Sequence, residues 1–182
     1  MKPQPSISVE EMRNVLKVLE AKGVIYHTKT GIYVPTERGW KLLYGRGPIK
    51  EEIFGYGFEK IKAENRKQIK FVKNEKVDDS TICIKISKGA KDLKKELKEI
   101  LKTVSMVSIT IEVEEEKEKI VGYGSPALKI ESEKSISLRK DEKVEDDTIA
   151  ILCNKSAKDL KRKLIEKLKN PSVKVKITIE AL

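Results

Sequence analysis

The residues of this sequence that could do chemistry are few, and several of them occur twice. A Gly-Tyr-Gly triplet stands at Gly55-Tyr56-Gly57 and again at Gly122-Tyr123-Gly124. Glycine lets a ligand approach the backbone closely, and a tyrosine ring can stack on a ligand ring or a base. The triplets could therefore be ligand-binding loops. The alternative, which we favour, is that they mark the entry to a strand and carry buried aromatic rings, because glycine in a strand often marks a bend.

Groups for conventional catalysis are scarce. His27 is the only histidine, and Cys83 and Cys153 are the only cysteines. Zinc sites usually combine several such ligands at close spacing, and the chain has no Walker, zinc-protease or serine-hydrolase motif. Cys83 falls out of phase with its isoleucine neighbours, so we expect it to fill a packed face. The sequence predicts no catalytic residue, no metal site and no cofactor, and it argues against an enzyme.

The charge of the chain favours an anionic partner. Its 182 residues carry 39 basic and 29 acidic side chains, a formal charge of +10. A basic surface attracts phosphate backbones, although interspersed acids can make such charge a solvated face. The high share of Lys and Glu is typical of proteins from hot environments. No apolar run approaches the ~18 residues of a membrane span. Two distant cysteines provide no disulfide framework, so we predict a reduced, cytoplasmic protein without a membrane partner.

An internal repeat organises most of the chain. Residues 55–102 align without a gap with residues 122–169, and about half of the aligned positions are identical. The stretch Glu75-Lys76-Val77 matches Glu142-Lys143-Val144, and residues 90–94 match residues 157–161. Chance similarity between lysine-rich segments would not keep these matches in one register. The pattern indicates an internal duplication.

Each copy predicts the same five elements. Apolar alternation predicts three strands, a 3.6-residue period then predicts a helix, and alternation returns in a fourth strand. The apolar positions of the first copy are Ile61/Ala63, Ile69/Phe71, Ile82/Ile84/Ile86, Leu93/Leu97/Leu101 and Val107/Ile109/Ile111. Those of the second copy are Leu128/Ile130, Ile136/Leu138, Ile149/Ile151, Leu160/Leu164/Leu168 and Val175/Ile177/Ile179.

These elements predict an α+β fold. One βββαβ unit exposes the apolar face of its small sheet, and two copies can bury those faces against each other. We expect residues 48–182 to form one pseudo-twofold domain, either a barrel or two packed sheets, with repeats at about 53–115 and 120–182. Asp92 and Asp159 stand three residues after Gly89 and Ser156, and we expect both carboxylates to cap the start of a helix.

Residues 1–47 lie outside the repeat and predict a helix, a hairpin and a second helix. Gly23 suits the end of the first helix, Thr30-Gly31 suits the hairpin turn, and Thr36 suits the N-cap of the second helix. The apolar positions are Met12, Val15, Leu16 and Leu19 in the first helix, Ile25, Ile32 and Val34 in the hairpin, and Trp40, Leu42 and Leu43 in the second helix. The glycines and proline of residues 44–52 predict the boundary with the repeat.

This helix–hairpin–helix order, over residues 8–44, resembles the second half of winged-helix domains. The resemblance implies a helix that enters the major groove and a hairpin wing that touches the phosphate backbone. A complete winged helix has two further helices upstream, which the short MKPQPSI stretch cannot supply. Such a unit would have to complete its core with the repeat domain or with a second chain.

The candidate nucleic-acid contacts are basic residues of both parts of the chain. In the first part they are Arg13 and Lys17 on the helix and His27 and Lys29 in the hairpin; in the second part they are Lys161 and Arg162 on the more basic repeat helix. The alternatives are that the first part serves only packing or dimerisation, and that the basic helices are solvated faces.

The repeat region also resembles an archaeal family known as domain of unknown function 371. The match is clearest over residues 137–168, which carry an Arg-Lys pair, a Thr-Ile-Ala-Ile strand and a Lys-x-Ala-x-Asp-Leu helix start, and residues 51–71 look like the family's opening. The chain departs from the family pattern where Phe58 follows Gly57 in place of a histidine. It departs again where Glu64 follows Ala63 in place of a Thr-His-Lys run. The resemblance implies an archaeal, two-repeat protein and no mechanism.

Three functions remain as hypotheses. The first is a non-catalytic nucleic-acid-binding or regulatory protein, with duplex DNA as the favoured partner. The second is a small-molecule sensor or enzyme whose site lies at the repeat axis near the Gly-Tyr-Gly loops. The third is an interaction module in which residues 1–47 complete their core in a homodimer.

Overall fold

The structure is a computed structural model that describes residues 6–45 and 47–182. The described residues separate into two compact units: an N-terminal unit that ends at Pro48, and a C-terminal unit from Ile49 to Leu182. Residues 1–5 of the MKPQPSI stretch and Arg46 of the predicted boundary lie outside the described residues. Among the helices described, none has the length and apolar character that crossing a bilayer requires.

The N-terminal unit has the predicted order of elements. Helix α1 (Val9–Ala21) is followed by strands β1 (Ile25–His27) and β2 (Tyr33–Pro35), which pair antiparallel, and by helix α2 (Glu37–Tyr44).

Local sequence signals explain where these elements begin and end. The Ser8 hydroxyl accepts the backbone N–H of Glu11 (3.1 Å) at the start of α1. The Thr36 hydroxyl accepts the N–H of Gly39 (3.0 Å) at the start of α2, which confirms the predicted N-cap. Gly23, just past α1, has a φ of 69°, a backbone conformation that favours glycine.

Few of the apolar side chains that the structure describes in the N-terminal unit are buried. Val24, Ile25 and Val34 are buried, whereas no residue of α1 is buried. The expectation that Ile32 packs inside the hairpin is wrong: it precedes β2 in the connecting loop, and its side chain is 60% exposed.

The C-terminal unit contains eight strands in two four-stranded sheets. The first sheet has the order β3-β10-β6-β7 and is antiparallel throughout; its strands are β3 (Ile49–Tyr56), β6 (Met106–Val113), β7 (Glu116–Tyr123) and β10 (Lys174–Ala181). The second has the order β5-β4-β8-β9; its strands are β4 (Gln68–Val72), β5 (Thr81–Cys83), β8 (Ser135–Arg139) and β9 (Thr148–Ala150). Its central pair β4–β8 is antiparallel and its outer pairs are parallel.

Two short helices complete the C-terminal unit. They are α3 (Lys95–Leu101) and α4 (Arg162–Leu168), and a 3₁₀ turn precedes each one, at Ala90–Asp92 and Ala157–Asp159. The buried side chains of both sheets and both helices form one continuous apolar cluster. The prediction of a mixed α+β architecture is confirmed.

Two strand predictions are wrong. Residues 61–63 and 128–130 form no strand; the first strand of each predicted unit lies earlier, at β3 and β7. The alternating residues are nevertheless buried, with Ile61 at 1% and Leu128 at 4% exposure. Ala63 and Ile130 have φ values of 51° and 52°, and a left-handed residue interrupts an extended run. Alternation therefore detected burial here without strand pairing.

The Gly-Tyr-Gly triplets end the edge strands of the first sheet, and each leads into a cap for a helix. The N–H of Phe58, next to Gly57, donates to the carbonyl of Leu168 at the end of α4 (2.8 Å). The N–H of Ser125, next to Gly124, donates to the carbonyl of Leu101 at the end of α3 (2.9 Å). The chain after each triplet thus satisfies a helix carbonyl that belongs to the other half of the unit.

Replacing Gly57 or Gly124 by alanine should destabilise the C-terminal unit. A Cβ at Gly57 would lie 2.4 Å from the carbonyl oxygen of Leu168, and one at Gly124 would lie 2.5 Å from that of Leu101. Backbone cannot move aside as a flexible side chain can, so we expect a loss of about 2 kcal/mol for each variant. Urea denaturation followed by far-UV circular dichroism measures it.

Gly47→Ala is the matched control, because a Cβ there meets its nearest heavy atom at an ordinary 3.5 Å. Equal free energies of unfolding for Gly57→Ala and the wild type would contradict the close contact between residue 57 and the carbonyl of Leu168.

Candidate functional site

The first group of candidate residues lies on α1. Arg13 and Lys17 are four residues apart, which places them on one side of the helix. Both side chains are exposed. Neither forms an ion pair with any residue that the structure describes, although α1 also carries Glu10 and Glu20. Two cations on this side of α1 are thus available to an external anion.

The second group lies in the β1–β2 hairpin. The rings of His27 and Tyr33 stack with centroids 4.6 Å apart and an interplanar angle of 19°. Lys29 is exposed in the connecting loop. The Thr28 hydroxyl holds that loop by accepting the N–H of Ile32 (3.1 Å). The hairpin therefore presents a cation and a pair of exposed stacked rings.

The two units differ in how many of their basic side chains form ion pairs. Among the described residues, all ion pairs but one lie in the C-terminal unit; the exception is Lys41–Glu37 in α2, at 3.6 Å. In the C-terminal unit, lysines such as Lys155, 2.6 Å from Glu118, have close carboxylate partners. The excess charge of the C-terminal unit is accordingly more fully compensated by neighbouring acids.

Lys161 and Arg162, the candidates on the second repeat helix, take part in the fold. The backbone N–H of Lys161 donates to the Glu118 carboxylate (3.1 Å), and its ammonium donates to the carbonyl of Lys117 (3.1 Å). The Arg162 guanidinium donates to the carbonyl of Ala63 through both terminal nitrogens (3.2 Å each). It also donates to carbonyls within residues 157–160. Both side chains hold neighbouring segments together.

The structure does not bring the two Gly-Tyr-Gly triplets together. They end β3 and β7, which are the opposite edges of the first sheet. Tyr56 and Tyr123 are 41% and 45% exposed, so neither ring is a packed core aromatic. Tyr56 lines a cleft of about 280 Å³ with Phe58, Lys85 and neighbouring residues. That the triplets form ligand-binding loops remains a prediction. The two loops would bind at two separate places in the unit.

Two buried carboxylates were missed by the sequence analysis. Glu51 in β3 accepts from the Lys88 ammonium (2.7 Å) and from the N–H of Lys94 at the start of α3 (2.8 Å). Glu118 in β7 does the same for Lys155 (2.6 Å) and Lys161 (3.1 Å). A sequence signal existed, because both acids occupy inward positions of strands whose alternate residues are buried. Each carboxylate fastens a helix start to the first sheet.

A second missed feature is a polar cluster on the second sheet. Asp147, 2% exposed, accepts hydrogen bonds from the hydroxyls of Ser137 (2.7 Å) and Ser135 (2.8 Å). The ammonium of Lys70 in β4 lies 3.4 Å from the same carboxylate. Every member has a partner inside the cluster, so this arrangement serves to satisfy buried polar groups.

The cysteines are unsuited to nucleophilic chemistry. Cys83 is fully buried, and burial raises the pKa of its thiol far above the usual range. Burial raises the pKa of Cys153 to about 12. A buried neutral thiol is inert, in agreement with the packing role expected for Cys83. No group of His, Cys, Asp and Glu within the described ranges is arranged to hold a metal ion.

The carboxylates of Asp92 and Asp159 stabilise turns. The backbone N–H of Ser156 and the ammonium of Lys140 both donate to Asp159 (2.8 and 2.9 Å) and hold the pKa of its carboxyl down to about 2. Asp92 accepts the N–H of Gly89 (2.9 Å) in the same way. Both caps belong to the 3₁₀ turns before α3 and α4, whereas the sequence placed them at the helices themselves. The reason is that Leu93 and Leu160 are extended and separate each turn from its helix.

Comparison with known proteins identifies a family for this chain. Residues 44–182 match the model of the family described as Domain of unknown function (DUF371). The chain belongs to this family. It is also similar to Uncharacterized protein MJ0206 of the archaeon Methanocaldococcus jannaschii, with 29% identity over 116 residues. That match covers 62% of this chain and 86% of the relative.

The DUF371 match confirms the resemblance found in the sequence. It begins at residue 44 and extends over the whole C-terminal unit, so α1 and the hairpin, with Arg13, Lys17, His27 and Lys29, precede the matched region. Phe58, where the family pattern usually has histidine, lines the cleft beside Tyr56. The cations Arg13, Lys17 and Lys29 therefore lie in a segment that precedes the family match.

Asp159→Asn should lower stability at neutral pH, and the loss should shrink as the pH falls through about 2. The folded-state pKa of Asp159 is about 2, against a usual 3.8, so its contribution is present above about pH 4 and is lost as the pH falls to about 2. We expect a loss of about 1 kcal/mol at pH 7, in line with other turn and helix caps. Urea denaturation at pH 7, 4 and 2.5 measures the free energy of unfolding.

Glu166→Gln provides the control, since this exposed acid on α4 pairs only with Lys169 in the described structure. A difference between Asp159→Asn and wild type that is as large at pH 2.5 as at pH 7 would contradict the capping role of the charged carboxylate.

Proposed function

We propose that this protein binds nucleic acid through its N-terminal unit, with duplex DNA as the favoured ligand, and that it catalyses no reaction. The observation that carries the proposal is the set of exposed cations Arg13, Lys17 and Lys29, which have no acidic partner among the described residues. Phosphates are the anions that such a set binds best when it is spread over a helix and a hairpin.

The N-terminal unit has a net charge that suits this role. Residues 1–48 carry eight basic and four acidic side chains, a net +4, whereas residues 49–182 carry 31 basic and 25 acidic side chains, a net +6. The smaller unit thus has about twice the net charge per residue. Because long-range attraction depends on local potential, the N-terminal unit provides the stronger electrostatic steering.

We also assign the N-terminal unit to a winged-helix-like arrangement. The support is its order of α1, hairpin and α2, in which the helix before the hairpin is the one that would enter the major groove. Arg13 and Lys17 would then contact the backbone beside the groove, and Lys29 would contact it from the wing. The stacked rings of His27 and Tyr33 give the wing a flat apolar surface beside the cation.

The C-terminal unit is assigned to an internal duplication that serves as the platform. Its support is that β3, β4, β5, α3 and β6 are followed by β7, β8, β9, α4 and β10 in the same order. Corresponding residues also pair with each other: Thr110 lies opposite Thr178 between β6 and β10, and Lys70 lies opposite Ser137 between β4 and β8. Such self-matching pairs occur where a twofold axis crosses a sheet.

Lys161 and Arg162 have a smaller part in this proposal than the sequence suggested. Their polar groups already donate to backbone carbonyls, so contacts to phosphate would compete with bonds that hold the fold. The two buried, free cysteines agree with the reduced, cytoplasmic setting that we propose.

Arg13→Ala combined with Lys17→Ala should weaken binding of duplex DNA by the full-length chain and make it less dependent on salt. Each lost phosphate contact removes about 0.9 from the slope of log affinity against log salt, so the slope should fall by about 2. Fluorescence anisotropy with a labelled duplex, between about 50 and 200 mM salt, measures both quantities. Single-stranded DNA and RNA of the same sequence give the order of preference.

Lys95→Ala is the matched control: Lys95 is an exposed lysine on a helix of the C-terminal unit, and its side chain is 88% exposed. It should leave affinity and slope unchanged. Equal binding by the double variant and by wild type would refute the role of α1, and a wild-type affinity independent of salt would refute the electrostatic account altogether.

A further inference from the structure

Helix α1 has a second exposed side that the proposed nucleic-acid contacts do not use. Val15 and Val18 are 45% and 52% exposed, and no residue of α1 is buried. A surface helix normally turns its apolar stripe toward a core. An exposed apolar stripe of this kind marks an interaction surface.

Charged residues extend this stripe at both ends. Glu11, Val15, Val18 and Lys22 are separated by four, three and four residues, the spacing of a single line along one side of a helix. Both charged residues are exposed, and neither forms an ion pair within residues 6–45 and 47–182. The line thus has an acid at its start, two valines at its centre and a base at its end.

This pattern is complementary to itself when two copies of the helix run in opposite directions. A twofold axis between residues 16 and 17 places Val15 opposite the partner's Val18 and Glu11 opposite the partner's Lys22. Both contacts occur twice, because a twofold interface is made of the same patch on each chain. A parallel pair would instead place Glu11 beside Glu11, and the two helix dipoles would repel.

We infer that α1 is the dimerisation element of this protein and that it pairs antiparallel with α1 of a second copy through Glu11, Val15, Val18 and Lys22. Arg13 and Lys17 lie on a different side of the same helix, so dimerisation leaves them exposed. Two helices of about 20 Å length bury an area at the small end of specific interfaces. The dimer should therefore form and dissociate over a micromolar range of concentration.

Charge reversal with rescue tests the pairing in the full-length chain, without nucleic acid. Glu11→Lys alone puts lysine opposite lysine twice, and Lys22→Glu alone puts glutamate opposite glutamate twice. Each single variant should weaken dimerisation by about tenfold, and the double variant, which restores opposite charges, should return to within about threefold of wild type. Sedimentation velocity between about 1 and 300 μM gives the dissociation constants; the mass of one chain is 20.7 kDa.

The rescue cannot come from helix stability, because both substitutions oppose the helix dipole and their effects on α1 would add. Glu10→Lys makes the same charge change one residue away, outside the line, and should leave the dissociation constant within about twofold. Val18→Lys, which places a charge at a position that is 52% exposed in the monomer, should abolish the dimer.

Three results would overturn the inference: a wild-type chain that stays monomeric at 300 μM, a double variant that is no better than either single variant, or a Val18→Lys variant that still dimerises. These results are independent of the nucleic-acid proposal. That proposal depends on the cations on another side of α1 and is tested by fluorescence anisotropy with labelled DNA.

Discussion

The C-terminal unit depends on contacts that each half makes with the other. Strand β10, from the second half, lies between β3 and β6 of the first, so the first sheet has no division between halves. The backbone after Gly57 closes the end of α4, and the backbone after Gly124 closes the end of α3. Because these contacts are reciprocal, neither half can satisfy its own helix carbonyls and strand edges alone. The continuous core across both sheets follows from that exchange.

The buried polar groups of the C-terminal unit also find their partners within the unit. Glu51 and Glu118 are inward-facing acids in an apolar sheet, and each is neutralised by a lysine and used as an acceptor at a helix start. Arg162 is committed to carbonyls in the same way. A buried charge without such partners would cost free energy of folding, so many cations of the unit form contacts within the unit itself.

The first helix of the N-terminal unit differs from this in its burial and in its ion pairing. Helix α1 has no buried residue, and its Arg13 and Lys17 have no acidic partner in the described structure. Under either proposal, a partner that binds only the folded form of this unit would raise its stability. The two proposals assign different sides of α1 to different partners: a phosphate backbone on one side and a second copy on the other. Dimerisation would leave the cations of both chains exposed, because Arg13 and Lys17 lie on the side of α1 that faces away from the two valines.

The amino-acid sequence by itself determined the α+β class, the caps at Thr36 and Gly23, and the family. These depend on local chemistry or on periodicity, which the order of residues contains. Only the tertiary structure decided that residues 61–63 are buried without forming a strand and that the Gly-Tyr-Gly triplets stand at opposite edges of one sheet. It also decided that Arg162 is held by carbonyls while Arg13 is left exposed. The physical reason is that pairing partners and solvent exposure depend on residues far apart in the chain, and a local pattern of apolar and basic residues is the same in either case.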